Sequence, residues 1–417
     1  MSRLVIQGGK PLYGRVSISG AKNACLPVLS AGLLTDKPCE FHNVPSLDDV
    51  KTIMKVFSHM GTFYTPPSKG LVRMETPSIT SHEAPFDLVS KMRASILVLG
   101  PVLARTGYAK IAMPGGCSIG GRPIDQHLKG LSMLGATIEL EGDYVIAKAK
   151  KLRGAKVTFD MPTVTGTEQL MMAAALAEGV TTLHNAAKEP EICELALVLN
   201  KMGSTVEGAG TSTITIQGKP TLNGLTHTIM PDRIEAGTFL AAVSLCGGEI
   251  WLDQVDLEHL AYPLEVLTHS GLHIENQGNR SVYAKATSRA KAFTIKTEPY
   301  PGFPTDLQAQ FMALACTADG QSTITETIFE NRYMHVAELQ KMGAKISVQG
   351  QTAHIEGIRD LIGNQVVATD LRASACLVMA GLKANGTTTM SNLAHLDRGY
   401  ERIEEKFSAL GASIVRI

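Results

Sequence analysis

One glycine recurs every 68 to 74 residues along this 417-residue chain, and this repeat limits the fold more than any other property of the sequence. Each such glycine follows a segment with helical periodicity and precedes a short β-prone run. A glycine in that place is typical of a helix C-terminus. The six positions are Gly61, Gly135, Gly203, Gly271, Gly343 and Gly411. The chain therefore repeats one structural unit six times.

A second glycine divides five of the six units and again ends a helix-like apolar segment, at Gly107, Gly179, Gly247, Gly320 and Gly386. Each unit of about 70 residues is therefore predicted to run helix, strand, helix, strand, strand. A single hydrophobic core stops growing at about 250 to 300 residues. The sequence thus predicts an α/β protein with two compact domains of three units each, in preference to one extended array.

Composition excludes several classes of function. The chain is 44% apolar, and 39 Lys and Arg balance 39 Asp and Glu, so no global charge attracts nucleic acid or an anionic membrane. The apolar run 94–104 is about half as long as a membrane helix. The first ten residues do not resemble a signal peptide. Seven scattered cysteines indicate no disulfide framework. We expect a soluble protein of the reducing cytoplasm.

Polar and charged residues gather where the first helix of each unit is predicted to begin. If the three first helices of a domain lie parallel, their positive ends converge and favour a bound anion. Ordinary capping by Asp and Thr explains part of the pattern. The starts are Lys22-Asn23, Phe86-Asp87 with Arg93 downstream, Thr165 to Glu168, Asp232-Arg233, Thr305-Asp306 and Asp370 to Arg372.

A glycine-rich loop at residues 112–123 is a candidate reactive site. Cys117 stands among four glycines and five positions before Arg122, whose charge favours a thiolate. The alternative is a tight hairpin with an incidental cysteine. Segments 329–335 and 395–402 occupy the matching place in units five and six, so three loops would face one cleft; solvated helix starts with Asp/Arg pairs are the alternative. Apolar helical runs predict that four other cysteines are buried: Cys25, Cys193, Cys316 and Cys376.

Eight ordered segments resemble the UDP-N-acetylglucosamine 1-carboxyvinyltransferases, often called MurA, of the EPSP synthase superfamily: SGAKNACLP, MRAS, PGGCSIGGRPID, PDRIEAGTF, FPTDLQAQF, TETIFENRYMHV, TDLRASACLV and HLDRGYERIEEK. The resemblance covers essentially the whole chain. It implies two inside-out α/β barrels of three repeats, one at 22–231 and one at 1–21 plus 232–417. A two-strand hinge near 20–22 and 230–232 would join them.

The resemblance implies transfer of enolpyruvate from phosphoenolpyruvate to the 3-hydroxyl of UDP-N-acetylglucosamine, with release of phosphate. This is the first committed step of peptidoglycan synthesis. The substrates are the only implied partners, and neither a metal nor an organic cofactor is implied. One alternative is the shikimate-pathway relative, 5-enolpyruvylshikimate-3-phosphate synthase, which lacks the PGGC loop. The other is a non-catalytic UDP-sugar sensor on the same fold.

Catalytic roles also follow from the resemblance. Cys117 matches the cysteine that protonates the phosphoenolpyruvate methylene carbon, forms a covalent adduct and is alkylated by fosfomycin. Asp306 matches the carboxylate that accepts the sugar hydroxyl proton; a helix N-cap is the alternative role, and both are compatible. Asp370 ranks second as a base.

Binding roles follow in the same way. The implied phosphoenolpyruvate contacts are Lys22, Asn23, Arg122, Arg332, Arg372 and Arg398. The implied UDP-N-acetylglucosamine contacts are Arg93, Arg122, Pro123, Ile124, Asp125, Gln126, Thr163, Val164, Asp306 and Ile328. A structural ion pair is the alternative for Arg93. Asp48 and Met161 stand where some family members have lysine, so lysine contacts to the nucleotide are not expected there.

Overall fold

The computed structural model describes residues 2–66, 68–89, 92–113 and 124–417, and these form two units with separate hydrophobic cores. The first unit comprises the described residues between 20 and 230. The second comprises residues 2–19 and 231–417. The chain therefore passes between units at 19/20 and 230/231, where the sequence prediction places the boundaries at 21/22 and 231/232.

The strands of the first unit are β3 (Cys39–His42), β4 (Phe63–Tyr64), β5 (Val72–Glu75), β6 (Glu83–Ala84), β7 (Tyr108–Ala112), β8 (Thr137–Glu141), β9 (Tyr144–Lys148), β10 (Lys156–Thr158), β11 (Val180–His184), β12 (Thr205–Glu207), β13 (Thr213–Gln217) and β14 (Thr226–Thr228). The strands of the second unit are β1 (Leu4–Gln7), β2 (Leu12–Ser17), β15 (Gly248–Asp253), β16 (His273–Gly278), β17 (Ser281–Ala286), β18 (Thr294–Lys296), β19 (Gln321–Thr325), β20 (Lys345–Gln349), β21 (Thr352–Glu356), β22 (Gln365–Val367), β23 (Thr387–Ser391) and β24 (Ser413–Arg416).

The α-helices are α1 (Lys22–Ala31), α2 (Asp48–His59), α3 (Phe86–Val89), α4 (Leu99–Thr106), α5 (Asp125–Met133), α6 (Val164–Ala175), α7 (Pro190–Lys201), α8 (Arg233–Cys246), α9 (Ala261–His269), α10 (Gln308–Ala315), α11 (Val336–Lys341), α12 (Leu371–Lys383) and α13 (Ile403–Ala409). Short 3₁₀ helices span Gly32–Leu34, Arg93–Val98, Leu257–Leu260, Thr305–Leu307 and Leu393–Arg398.

The predicted sixfold repeat is confirmed, since the strands form six four-stranded sheets of one design. In every sheet a short edge strand pairs parallel with its neighbour, and the other two pairings are antiparallel. The orders are β14-β3-β5-β4, β6-β7-β9-β8 and β10-β11-β13-β12 in the first unit, and β2-β15-β17-β16, β18-β19-β21-β20 and β22-β23-β1-β24 in the second. The sequence pattern missed the short edge strands, which are only two to six residues long.

Two edge strands exchange partners where the chain changes unit. In four repeats the edge strand is followed in sequence by helix and then by the strand with which it pairs in parallel, as in β10-α6-β11. Strand β2 instead leads to α1 in the first unit but pairs with β15 of the second. Strand β14 leads to α8 in the second unit but pairs with β3 of the first. Each unit is thus completed by a strand from a distant part of the chain.

The first helix of each repeat lies in the interior of its unit. Every residue of α10 is buried, as are residues 233–245 of α8 and 372–382 of α12, and these three helices pack against one another. Small residues such as Ala and Gly allow that close packing of helices that are apolar on all sides. The sheets cover these helices, which agrees with the predicted α/β architecture.

The six repeated glycines all have positive φ, between 84° and 107°, and each lies two residues beyond the end of the second helix of its repeat. Only glycine adopts this conformation without a steric cost from Cβ. The predicted helix ends are therefore confirmed.

Two local predictions need correction. The helix predicted from Phe86 onward is interrupted: α3 ends at Val89, and a 3₁₀ helix begins at Arg93. Cys193, predicted to be buried, is exposed, because α7 buries Ile192, Leu195 and Leu199 on the opposite face. The prediction holds for Cys25, Cys316 and Cys376. No helix among the described residues is both long and apolar enough to cross a membrane.

Candidate active site

The predicted site residues are distributed over both units, so each unit is described by itself. Three of them, Cys117, Arg122 and Pro123, lie outside the described residues, as does most of the predicted loop at 112–123. The second unit contains Asp306, Ile328, Arg332, Arg372 and Arg398. The first unit contains Lys22, Asn23, Arg93, Ile124, Asp125, Gln126, Thr163 and Val164.

Asp306 joins two buried arginines in the second unit. It lies in the 3₁₀ turn before α10, where its Oδ1 accepts a hydrogen bond from Arg332 Nη2 at 3.1 Å and its Oδ2 accepts one from Arg372 Nη2 at 2.9 Å. The two arginine side chains are each 3% exposed, whereas the Asp306 side chain is 25% exposed. The carboxylate is therefore accessible to a ligand while two buried cations hold it in place.

The starts of the three inner helices meet at this cluster, as the helix-start pattern predicted. Asp232 caps α8 and Asp370 caps α12, each through Oδ1 to two backbone N–H groups. Asp306 does not cap its helix: the residue before the turn is Pro304, which has no capping side chain. Burial alone would lower the pKa of Arg372, but Asp306, with Tyr400 and Asp232, raises it above its ordinary value.

His335 and His395 each lie near Asp370 and near one of the predicted arginines. Burial lowers the pKa of His335 to about 4, while Asp370 acts to raise it and Arg332 to lower it. Burial and nearby Arg398 lower the pKa of His395, and Asp370 again opposes this. Arg398 ends the 3₁₀ helix Leu393–Arg398. One electrostatic cluster therefore contains the predicted charged residues of units five and six, which are Asp306, Arg332, Asp370, Arg372 and Arg398. Arg332 and His335 are buried, which excludes the alternative of a solvated helix start for that segment.

Sequence reasoning missed a polar network below the cluster. Tyr400 is 2% exposed, and its hydroxyl lies 3.0 Å from Thr238 Oγ1 and 2.9 Å from Gln310 Nε2. Gln310 also donates to Asp306 O at 3.0 Å, and Arg372 lies over the Tyr400 ring at 5.5 Å. This network supports the Asp306 turn and the Arg372 guanidinium from the interior. The sequence gives one signal for this network. Its four members, Thr238, Gln310, Arg372 and Tyr400, all lie in segments that carry the family resemblance.

In the first unit, Lys22 begins the inner helix α1. Its Nζ lies 3.3 Å from Asp49 Oδ2, and both side chains are mostly buried, at 13% and 5% exposure. Asn23 follows on the same helix turn and is half-buried. The helix start has no capping side chain, so its N–H groups and the Lys22 ammonium together suit an anion.

A second polar group in the first unit surrounds the start of α6. Thr163 caps this helix by accepting from Gly166 N, and Val164 is its first residue. His127 contacts Gln169 through Nδ1 and lies 3.2 Å from Thr165 Oγ1 through Nε2. Burial lowers the pKa of His127 to about 4, with Gln169 and Asp125 acting to raise it and Arg93 to lower it. Arg93, Asp125 and the α6 start therefore all lie near His127.

Gln126 and the two departures from the family pattern lie at the surface of the first unit. Gln126 Oε1 accepts hydrogen bonds from Asp160 N at 2.8 Å and Met161 N at 3.3 Å, which fixes the turn before α6. Met161 is 63% exposed. Asp48 pairs with Lys51 at 2.9 Å on an exposed helix turn. Neither position offers a cation to a nucleotide.

One cavity of the second unit is remote from this chemistry. It has a volume of about 710 Å³ and lies at the C-terminal end of α8, between residues 244–248 and 285–290. The charged cluster lies at the N-terminal end of the same helix. Within the described part of the chain, no group of three or more His, Cys, Asp and Glu side chains is arranged to hold a metal ion.

The chain is similar to known proteins over its whole length. The sequence model of the EPSP synthase (3-phosphoshikimate 1-carboxyvinyltransferase) family matches residues 6–407. The chain is 54% identical over 417 residues to a UDP-N-acetylglucosamine 1-carboxyvinyltransferase of Geobacter metallireducens, with all of both chains covered. It is 53% identical to the same-named protein of Myxococcus xanthus, covering 100% of this chain and 99% of that relative.

Solved structures show the same fold. The enolpyruvyl transferase NikO from Streptomyces tendae superposes with a TM-score of 0.90 at 24% identity, covering 100% of this chain and 98% of that one. An EPSP synthase from Acinetobacter baumannii gives 0.77 at 19% identity, with both chains fully covered. Since the family match spans nearly the whole sequence and full-length relatives share more than half of its residues, the chain belongs to the EPSP synthase (3-phosphoshikimate 1-carboxyvinyltransferase) family.

Proposed function

We propose that this protein transfers the enolpyruvyl group of phosphoenolpyruvate to the 3-hydroxyl of UDP-N-acetylglucosamine and releases phosphate. The observation that carries the proposal is the 52–54% identity, over the full chain, to proteins named for this reaction. The charged cluster around Asp306 supports it, because it combines an accessible carboxylate with cations that suit an anionic substrate.

Asp306 is the proposed base. As the sugar oxygen forms a bond to C2 of phosphoenolpyruvate, the hydroxyl proton moves to the carboxylate. A carboxylate engaged by two guanidinium groups is a weak base, since both stabilise its charged form. An anionic substrate that attracts Arg332 or Arg372 would relieve this and strengthen the base. In this proposal, the binding of phosphoenolpyruvate makes Asp306 a stronger base.

Cys117 is the proposed acid that donates its thiol proton to the methylene carbon in the same addition step, and Arg122 is proposed to stabilise the thiolate that this transfer leaves. In the elimination step the methyl group loses a proton to this thiolate while the bond between C2 and the phosphate oxygen breaks, which restores the carbon–carbon double bond and the thiol. Lys22 and Arg398, with Asn23, are proposed to bind the phosphate and carboxylate groups of phosphoenolpyruvate.

The UDP-sugar is proposed to lie against the start of α6 and the residues near it. Arg93 and the N-terminus of α6 supply positive charge for the diphosphate. The remaining proposed contacts are Arg122, Pro123, Ile124, Asp125, Gln126, Thr163, Val164, Asp306 and Ile328. With Asp48 and Met161 in place of lysine, nucleotide binding depends more heavily on these groups.

The reaction would begin peptidoglycan synthesis, and we propose the cytoplasm as its location. Six of the seven cysteines are described, and all six are free thiols, which suits a reducing compartment. The shikimate-pathway reaction is disfavoured by the PGGC segment and by the lower identity to EPSP synthase, 19%. A non-catalytic sensor is disfavoured because the proposed acid, base and cations are all present in the sequence.

The test is product formation by the purified protein. With both substrates, we expect phosphate release and a mass corresponding to enolpyruvyl-UDP-N-acetylglucosamine; shikimate 3-phosphate in place of the UDP-sugar should give neither. Fosfomycin should abolish turnover and add its mass to Cys117. Cys193→Ser is the matched control for Cys117→Ser, since Cys193 is an exposed thiol in α7. Two results would refute the proposed reaction. One is turnover of phosphoenolpyruvate with shikimate 3-phosphate but not with UDP-N-acetylglucosamine, and the other is binding of both proposed substrates without any product.

A further inference from the structure

Glu326 is a buried carboxylate that the proposed reaction does not use. It directly follows β19 and is 1% exposed. Its Oε1 accepts hydrogen bonds from Thr297 Oγ1 at 2.9 Å, Ile328 N at 2.8 Å and Phe329 N at 3.2 Å. Its Oε2 accepts one from Thr305 Oγ1 at 2.8 Å. Four donors therefore converge on one side chain.

Three of these four donors belong to two segments that hold proposed substrate contacts, one at 305–306 and one at 328–329. Thr305 begins the turn that contains Asp306, and Ile328 is itself a proposed UDP-sugar contact. No Lys or Arg side chain among the described residues forms an ion pair with Glu326, so neutral hydroxyl and backbone donors alone hold the charge. Hydrogen bonds to an ionised acceptor are short and strong, and they define geometry more tightly than neutral ones.

The hydroxyl of Thr305 does not cap the helix that it precedes. At a helix start, a threonine commonly caps free backbone N–H groups. Here the hydroxyl donates to Glu326, and neither Thr305 nor Asp306 serves as the cap. The Asp306 carboxylate is consequently directed towards Arg332 and Arg372.

We infer that Glu326 is a positioning residue, which holds the Asp306 turn and the Ile328 backbone in a fixed relation so that base and sugar are aligned. This inference rests on the proposed function and deepens it. Glu326 touches neither substrate in this scheme. Its effect passes through the Thr305 hydroxyl to Asp306 and through the backbone N–H groups to Ile328.

The proposed effect of Glu326 on Asp306 is tested best by substitution of Thr305. Glu326→Ala would remove four hydrogen bonds from a buried site and is expected to disturb folding. Thr305→Val removes only the hydroxyl and retains the shape of the side chain, and Thr305→Ser is the matched control because it retains the donor. We expect Thr305→Val to lower kcat by about 10- to 100-fold, since a small misplacement of a reacting group has effects of this size. Thr305→Ser should stay within about threefold of the wild type.

A purely structural role would give a different result. The KM for UDP-N-acetylglucosamine should rise more in Thr305→Val than the KM for phosphoenolpyruvate, because the sugar contacts Asp306 and Ile328 directly. Thr305→Val with a lower melting temperature but wild-type kcat and KM values, or Thr305→Ser as impaired as Thr305→Val, would overturn the inference.

Failure of the proposed function would be recognised separately, in the wild type. If the wild-type protein forms no product, calorimetric titration with UDP-N-acetylglucosamine replaces kinetics as the measurement. Weaker binding by Thr305→Val than by Thr305→Ser then supports the positioning role. Equal affinity of the two variants and the wild type contradicts it.

Discussion

Replacement of Asp306 by asparagine tests both the chemistry and the energetics of the charged cluster. The change keeps the size of the side chain but removes the charge that pairs with two arginines at 3.1 and 2.9 Å. As the proposed base, the carboxylate contributes about 10²- to 10⁴-fold to the rate, which is the usual range for general base catalysis. We therefore expect kcat to fall by at least about 100-fold in Asp306→Asn, or about 3 kcal/mol of transition-state stabilisation.

The same change should weaken the fold. Removal of one partner of a fully buried ion pair costs about 3 to 5 kcal/mol, because it leaves an uncompensated charge. The arginines are 3% exposed, but the Asp306 side chain is 25% exposed, so solvent screens part of the loss. We expect the free energy of unfolding to fall by about 2 to 3 kcal/mol in Asp306→Asn, as measured by urea denaturation.

Asp370→Asn is the matched control. It makes the same carboxylate-to-amide change in the same cluster, but Asp370 caps α12 at 2.8 and 3.0 Å, and asparagine caps helices about as well as aspartate. Its kcat should remain within about threefold of the wild type. An Asp306→Asn protein with kcat within about tenfold of the wild type would refute the base assignment. If Asp370→Asn loses as much activity as Asp306→Asn, Asp370 becomes the better candidate for the base.

Three further outcomes are expected. The free energy of unfolding should decrease as the pH falls from about 6.5 to about 4, because burial lowers the folded-state pKa of His127 and His335 to about 4 while the unfolded chain binds protons near 6.5. Urea unfolding across this range checks it, and a slope unchanged in His335→Gln contradicts the role of that histidine. Gly20→Ala should destabilise the protein by about 3 kcal/mol or more, because the added Cβ would lie 1.8 Å from Asn43 O; an unchanged melting temperature refutes this. Lys22→Met should raise the KM for phosphoenolpyruvate at least about tenfold with little change for the UDP-sugar, as initial rates will show; equal effects on both substrates would contradict its assignment to the anion.

The repeat and the helix ends could be predicted because they depend on local chemistry. A glycine two residues past a helix is needed for the left-handed conformation there, whatever the helix packs against. All six glycines at these positions have the expected positive φ. The same local character explains why polar helix starts could be recognised as a group, and why the motif resemblance identified Asp306 and its arginines.

The exposure of Cys193 and the interrupted helix at Arg93 could not be predicted in this way. An apolar helix such as α7 buries one face only, and the sequence does not state which face meets the core when both carry apolar residues. The short strands β6, β10 and β22 also escaped prediction, since two or three residues carry too little periodicity.

What the sequence by itself determined is the sixfold unit, the α/β class and the residue types of the candidate site. The tertiary structure alone decided the partners of those residues. Asp306 contacts Arg332 and Arg372, which lie 26 and 66 positions away, and β2 pairs with β15 more than 200 residues further on. Local conformation depends on neighbouring residues, whereas such pairings depend on how separate repeats pack, and no pattern within one repeat encodes that. Glu326 is the clearest case, because its importance lies entirely in which four donors the fold brings to it.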